Sequence, residues 1–203
     1  MTGRAGRWVA IALVAVLAVA TSCSGSGSDA ATTTTVRSTT SAPSTTVAPK
    51  ADVTTWAQGF CGDFGTWIDA IRTAGSSVGK GVAKGDVTGA KAAIVKLFTT
   101  SEDATDALIE SLEAGGTPDL TDGGALVEDL KAKFGAFKKA IVAARGDAEA
   151  LSTGDPAAFA TQVDGLVGTF QSETTKVGDS FAEIDTKYPS SELQAALSAD
   201  CGA

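Results

Sequence analysis

Histidine is absent from this chain of 203 residues. Imidazole is the base of Ser-His and Cys-His catalytic sites, a common zinc ligand and the usual proton carrier near neutral pH. Its absence excludes those sites. It also excludes the Glu-x-x-His motif with which some helical bundles bind a pair of iron ions.

Carboxylates are the remaining candidates for acid–base chemistry. Two groups of them have helical spacing: Glu102, Asp106 and Glu110, and Asp179, Glu183 and Asp185. Charges at this spacing are typical of a solvent-exposed helix face, and no segment has the spacing of a calcium-binding loop. We predict that the protein is not an enzyme and that it holds no cofactor and no metal.

A glycine-rich segment, residues 75–86, also lacks the spacing of a nucleotide site. Gly75 is one residue too close to Gly79-Lys80 for a phosphate-binding loop, and Gly81 stands where that loop has Ser or Thr. We expect this segment to be a loop or the frayed end of a helix.

Positive charge is scarce after the first 50 residues. The whole chain has 16 Lys and Arg against 24 Asp and Glu, a net charge of −8. Residues 52–203 contain 12 Lys and Arg and 23 Asp and Glu, so their net charge is 12 − 23 = −11. Such an acidic segment is a poor partner for nucleic acid, and we expect none.

The chain begins with the features of an export signal. Arg4 and Arg7 precede an apolar run from Trp8 to Ala20. That run is shorter than the roughly 20 residues that a membrane-spanning helix needs. We therefore predict that residues 1–22 are a signal peptide.

The junction after this run resembles the lipobox of bacterial lipoproteins. Thr21 and Ser22 are small residues in front of Cys23, as in that family, although Ala20 stands where the family prefers Leu, Val or Ile. The resemblance implies that Cys23 becomes a diacylated N-terminus on the outer face of the cell membrane. The alternative is an ordinary secretory signal, cut near Ala20, that releases the protein.

The three cysteines are an odd number for an exported protein. Lipidation of Cys23 would leave Cys61 and Cys201, and export would place them where a disulfide persists. We expect a Cys61–Cys201 disulfide, with two buried thiols as the alternative.

Residues 23–51 differ in composition from the rest of the chain. They are rich in Thr, Ser, Gly, Ala and Pro and have few apolar residues. Such a segment buries too little apolar surface to offset the entropy cost of ordering. We predict a disordered tether with a typical end-to-end distance of roughly 30 Å.

Residues 52–203 have apolar residues at helical spacing almost throughout. The pattern predicts long helices at about 53–74, 87–114, 123–151 and 156–188, and a short helix at 191–201. Ser191 is the predicted cap of the last helix. We expect an all-α fold, an antiparallel four-helix bundle with a short C-terminal helix.

Aromatic residues make up much of these apolar seams. In the first helix the stripe that contains Trp56 and Phe60 is either core or a surface that grips a ligand. The later seams contain Phe134, Phe137, Phe170 and Phe181, which either fill the core or line a cavity for an apolar ligand. Five glycines inside helices would permit close helix contact or leave room for such a ligand: Gly65, Gly135, Gly165, Gly168 and Gly178.

The layout as a whole resembles the small lipoproteins and secreted helical proteins of high-GC Gram-positive bacteria. The shared features are the lipobox at Cys23, the Thr/Ser/Pro tether, the W-x-x-x-F-C sequence from Trp56 to Cys61, and the late Cys201. The resemblance implies an extracytoplasmic, membrane-anchored domain. We expect a structural or interaction module of the cell envelope, and the alternative is a carrier for a lipid or another apolar ligand.

Overall fold

The computed structural model describes residues 50–201, which form an all-α bundle. Its helices are α1 (Val53–Ser77), α2 (Val87–Ala114), α3 (Gly123–Ala150), α4 (Pro156–Phe181), α5 (Ile184–Lys187) and α6 (Ser191–Asp200). Two strands of two residues each, β1 (Lys50–Ala51) and β2 (Thr117–Pro118), form a parallel pair. The predicted fold class is confirmed. Across residues 50–201, no helix has both the length and the apolar character needed to span a membrane.

Aspartates fix the starts of three long helices. Asp52, Asp86 and Asp155 each accept a hydrogen bond through the side chain from a backbone N–H in the first turn that follows. This bond satisfies one of the N–H groups that have no partner at a helix start. Pro156 then occupies the first turn of α4, where its missing N–H costs nothing. These starts agree with the sequence prediction.

Ion pairs show that α2 and α3 are antiparallel. Lys131 lies 2.9 Å from Glu113, and further along α3 Arg145 lies 2.6 Å from Glu102. The residue numbers rise along α3 while they fall along α2. Lys138, between the two, pairs with Asp106 at 2.6 Å.

The next helix pair is also antiparallel. Phe134 of α3 contacts Phe181 of α4, and Phe137 contacts Phe170. Although α4 is 26 residues long, it buries only a narrow stripe consisting of Phe159, Leu166 and Val177. It is therefore an outer helix of the bundle.

A buried polar contact joins α1 to α2. The indole Nε1–H of Trp67 donates to Thr105 Oγ1 at 3.1 Å, and that hydroxyl donates to the carbonyl of Ser101 at 2.7 Å. Thr105 is fully buried, so each of these donors would lose energy without its partner. The contact fixes how α1 is positioned along α2.

The end of the chain differs from its prediction. The fourth helix ends at Phe181 and not near Tyr188, because the chain tightens into a turn at Ala182, whose N–H approaches three carbonyls of the last turn. A single turn, α5, then leads to α6. Ser190 caps α6, because its extended backbone brings Oγ to 3.2 Å from the N–H of Leu193. The predicted cap, Ser191, is the first helical residue instead.

Two residues assigned to the tether belong to the fold. Lys50 and Ala51 pair with Thr117 and Pro118, and the N–H of Asp119 donates to the carbonyl of Ala51 at 2.8 Å. Lys50 Nζ also lies 2.7 Å from Asp119. Strands this short have no alternation of apolar and polar residues, so they could not be predicted from the sequence.

The interior glycines do not mediate close helix contact. A Cβ atom added at Gly65, Gly135, Gly165, Gly168 or Gly178 would meet no neighbouring side chain or second helix within 4 Å. Gly165 and Gly168 are exposed. Close helix approach at these five positions was therefore a wrong expectation.

Candidate functional site

The four phenylalanines proposed as ligand lining lie together inside the bundle. Phe134 and Phe137 are buried, and Phe170 and Phe181 are partly buried. The ring centroids of Phe134 and Phe181 are 4.9 Å apart, and those of Phe137 and Phe170 are 6.4 Å apart. At these distances aromatic rings contact one another. None of the four lines the cavity beside Trp56 or the depression between α3 and α4, and their role as ligand lining stays a prediction.

The aromatic stripe of α1 forms a continuous stack. Neighbouring ring centroids from Trp56 through Phe60 and Phe64 to Trp67 are 5.5, 5.7 and 5.2 Å apart. The two tryptophans are buried, and the two phenylalanines between them are partly buried. Trp67 contacts the core, whereas Trp56 faces a cavity at the other end of the stack.

That cavity has a volume of about 50 Å³ and is partly open to solvent. It lies between α1, α3 and the C-terminal arm, by which we mean residues 182–201 with α5 and α6. Its lining consists of Trp56, Phe60, Leu126, Leu130, Ile184, Asp185, Tyr188, Leu193, Gln194 and Leu197. The amino-acid sequence alone does not reveal this site, because the site depends on where the arm folds back.

A larger and more open depression, of about 260 Å³, lies where the end of α3 meets α4. Its lining is half polar and is formed by Asp147, Ala150, Leu151, Gln162, Leu166 and Thr169. It is a surface feature rather than an enclosed site.

The structure contains the expected disulfide. Cys61 and Cys201 are bonded, with their Cα atoms 4.8 Å apart. Cys61 is buried in α1, and Cys201 is exposed at the end of α6. The bond therefore holds the far end of the arm against α1. Cys23, the predicted lipidation site, lies outside the described residues.

The near end of the arm is held by a polar cluster on α3. Tyr188 donates its hydroxyl hydrogen to Asp129 Oδ2 at 2.7 Å, and the Lys187 ammonium donates to the same oxygen. Both hydrogen bonds lower the pKa of Asp129 below its ordinary value, and the bond from Lys187 has the larger effect. The pKa of Tyr188 is raised above its ordinary value, mainly by burial and to a smaller extent by the hydrogen bond to Asp129.

This cluster predicts an acid-sensitive arm. Because the pKa of Asp129 is lowered by folding, its contribution to stability is present above the unfolded-state pKa and is lost as the pH falls through the folded-state value. Below about pH 4, Asp129→Asn should therefore lose less stability per pH unit than the wild type. Urea unfolding at several pH values measures this slope. Asp103→Asn, at an exposed position on α2, is the control, and an equal slope in wild type and Asp129→Asn would contradict the prediction.

Three of the six carboxylates at helical spacing are engaged in ion pairs, and the other three, Glu110, Asp179 and Asp185, are exposed. Glu102 and Asp106 pair with Arg145 and Lys138 of α3, and the hydrogen bond to Asp106 raises the pKa of Lys138. Glu183 lies 3.9 Å from Lys133. These contacts hold helices together. Within residues 50–201, no group of three or more Cys, Asp or Glu side chains is arranged to hold a metal ion.

Comparison with protein-family models, curated proteins and solved structures found no match to this chain.

Proposed function

We propose that this protein is an exported lipoprotein, anchored by lipid on Cys23 to the outer face of the cell membrane. Its helical bundle would serve there as a structural or interaction module of the envelope. This follows the resemblance to the small lipoproteins of high-GC Gram-positive bacteria in the lipobox, the tether and the two remaining cysteines.

The observation that carries the proposal is the pairing of the cysteines. Of the three cysteines in the chain, Cys61 and Cys201 are bonded to each other. Cys23 is thus left without a partner in its own chain, directly after an apolar run. A disulfide across 140 residues also suits an oxidising compartment rather than the cytosol. Two acyl chains on one cysteine would provide a stable membrane anchor, which a single chain does not.

The surface of the bundle supports a role in contact with other molecules. Residues 50–201 have 13 Lys and Arg against 23 Asp and Glu, so their net charge is 13 − 23 = −10. The ion pairs of Lys131, Lys138 and Arg145 each take up a carboxylate as well, so they leave the excess of negative charge in place. The exposed surface is consequently acidic and favours a partner with a basic surface.

Anchoring is tested by substituting Cys23. In the native host, the wild type should partition into the membrane fraction and into the detergent phase of a cloud-point extraction. Cys23→Ala should move to the aqueous phase, because it cannot carry acyl chains. Ser24→Ala, at the neighbouring position, is the control and should behave as the wild type. Wild-type protein in the culture medium, with its N-terminus near residue 21, would instead support the secreted alternative and refute anchoring.

The interaction role needs a separate experiment. Crosslinking on intact cells, followed by purification of the wild type, should recover the same envelope protein or proteins in each repeat. The anchored wild type is compared with a Cys23→Ala form, which should lose partners that depend on membrane location. Recovery of nothing above the background of an untagged strain would contradict the interaction role and leave anchoring unaffected.

A further inference from the structure

We propose that the cavity under the C-terminal arm binds the aliphatic tail of an uncharged or cationic amphiphile. This site is distinct from the four central phenylalanines. It is carried by three observations: the apolar lining, the polar groups at its mouth, and the attachment of the arm at both ends.

The inner lining of the cavity is almost entirely apolar. Leu126, Leu130 and Leu193 are buried around it, and Trp56 closes the side toward α1. The one buried polar atom on this side, the hydroxyl of Tyr188, is already occupied by Asp129. A water molecule inside would therefore find few hydrogen-bond partners, and such cavities favour an apolar guest over water.

The size of the cavity selects a slender guest. Its volume of about 50 Å³ is far below the roughly 150 Å³ of an engineered cavity that holds benzene. The end of an unbranched aliphatic chain fits without a large rearrangement, whereas a ring does not. The remainder of such a chain would pass the partly buried side chains of Phe60 and Leu197 toward solvent.

The mouth of the cavity determines which head group is tolerated. Asp185 and Gln194 are the exposed residues of the lining, and the nearby ammonium of Lys187 is already paired with Asp129. The carboxylate of Asp185 repels an anionic head and attracts a cationic one, while Gln194 offers hydrogen bonds to an uncharged head. A fatty acid in its ionised form is consequently a worse ligand than the corresponding alcohol or amine.

The arm forms the outer wall of the cavity and is attached at two points. Tyr188 holds it to α3 through Asp129, and Cys201 holds it to α1 through Cys61. Leu193 and Leu197, which lie between these points on α6, face the cavity. Releasing the Cys201 attachment would let α6 move outward, so ligand entry should become faster.

The location of the cavity fits a lipid-derived ligand. Trp56 is in the first turn of α1, at the end where residues 1–49 join the fold. If Cys23 is anchored as proposed above, this is the end of the bundle that the tether connects to the membrane. Only this step rests on the proposed function, and the binding site itself does not.

The test uses residues 23–203 with Cys23→Ser, purified and oxidised, in which Trp56 and Trp67 are the tryptophans. The probes are an alcohol, a carboxylate and a trimethylammonium compound of equal chain length, each with a terminal bromine that quenches tryptophan on contact. The alcohol and the ammonium compound should quench with saturation below their micelle concentrations, and the carboxylate should bind about fivefold more weakly. The quenching should disappear on further substitution of Trp56→Phe. Absence of saturable quenching, or its persistence without Trp56, would overturn the proposal.

Variants of the lining provide a second test. Leu197→Phe fills the cavity and should weaken binding about tenfold, whereas Ile94→Phe, at a partly buried position on α2 outside the lining, should leave it unchanged. Asp185→Lys, at an exposed position, should reverse the preference between the carboxylate and the ammonium probe. Equal effects of the two phenylalanine substitutions, or an unchanged preference in Asp185→Lys, would refute the site.

The disulfide provides the test of the arm. Cys201→Ser should increase the association rate of the alcohol probe, and an unchanged rate would refute the arm as the outer wall. All these measurements are made in solution and do not depend on membrane attachment. The partition experiment on Cys23 can therefore fail while the probes bind, or succeed while they do not.

Discussion

Replacing both Cys61 and Cys201 with serine should lower the free energy of unfolding by about 2–5 kcal/mol. The bond joins residues 140 positions apart, and closing so long a loop removes much of the conformational freedom of the unfolded chain. In the chain-entropy description a loop of this length corresponds to about 5 kcal/mol, which is an upper value. Equilibrium unfolding in urea, with and without a reducing agent, measures the difference.

Cys23 is the natural control for this experiment. It lies outside residues 50–201, so Cys23→Ser should leave the urea midpoint unchanged while it abolishes anchoring. The double substitution of Cys61 and Cys201 should lower the urea midpoint and leave the exported protein anchored to the membrane. A stability loss of equal size in Cys23→Ser would contradict the assignment of separate roles to the three cysteines.

The loss of stability should be largest in the C-terminal arm. Of the ten residues of α6, only Leu193 and Ala196 are buried, so the helix has little apolar contact of its own. Without the disulfide it is held by the packing of Leu193, Ala196 and Leu197 and, at its other end, through Tyr188 and Asp129. Hydrogen exchange of the α6 amides should therefore speed up more than that of α3, whose central residues are in the core.

Most of the helical framework could be predicted, because its signals are local. Asp86 and Ala114 bound α2 as expected, since a capping aspartate and a pair of glycines act on the residues next to them. The apolar seam from Val127 to Ala148 identified α3 because its 3.6-residue period continues for the whole helix. Such signals need no knowledge of the rest of the fold.

The candidate site could not be predicted in the same way, because it depends on contacts between distant segments. Trp56 and Leu193 meet only because the chain turns at Ala182 and the disulfide returns α6 to α1. The turn has no proline or glycine at its centre, so the sequence contains no local signal that predicts it. Likewise, Lys50 and Ala51 pair with Thr117 and Pro118, which are too far away in the sequence for a local pattern to predict the pairing.

Replacing Phe134 with alanine should lower the free energy of unfolding by about 3–5 kcal/mol. Its side chain is 1% exposed, and its ring contacts those of Phe64, Trp67 and Phe181. The surrounding rings are held by two helices, α1 and α4, and can close only part of the space that the ring leaves. The unfilled remainder adds to the lost transfer energy of the ring. Thermal or urea unfolding of the wild type and the variant gives the difference.

The control is Phe181→Ala, which removes the same side chain from a partly buried position on α4. It should cost clearly less, because less apolar surface is returned to water and the site is nearer to solvent.

The comparison also decides between the two roles predicted for the four central phenylalanines. If they fill the core, the cost in the probe-free protein follows their burial. If they line a ligand site, Phe134→Ala and Phe181→Ala should cost little in the ligand-free protein and should instead change the affinity for the probe. A small and equal loss of stability in both variants would therefore contradict the packed core and return the ligand site to the centre of the bundle.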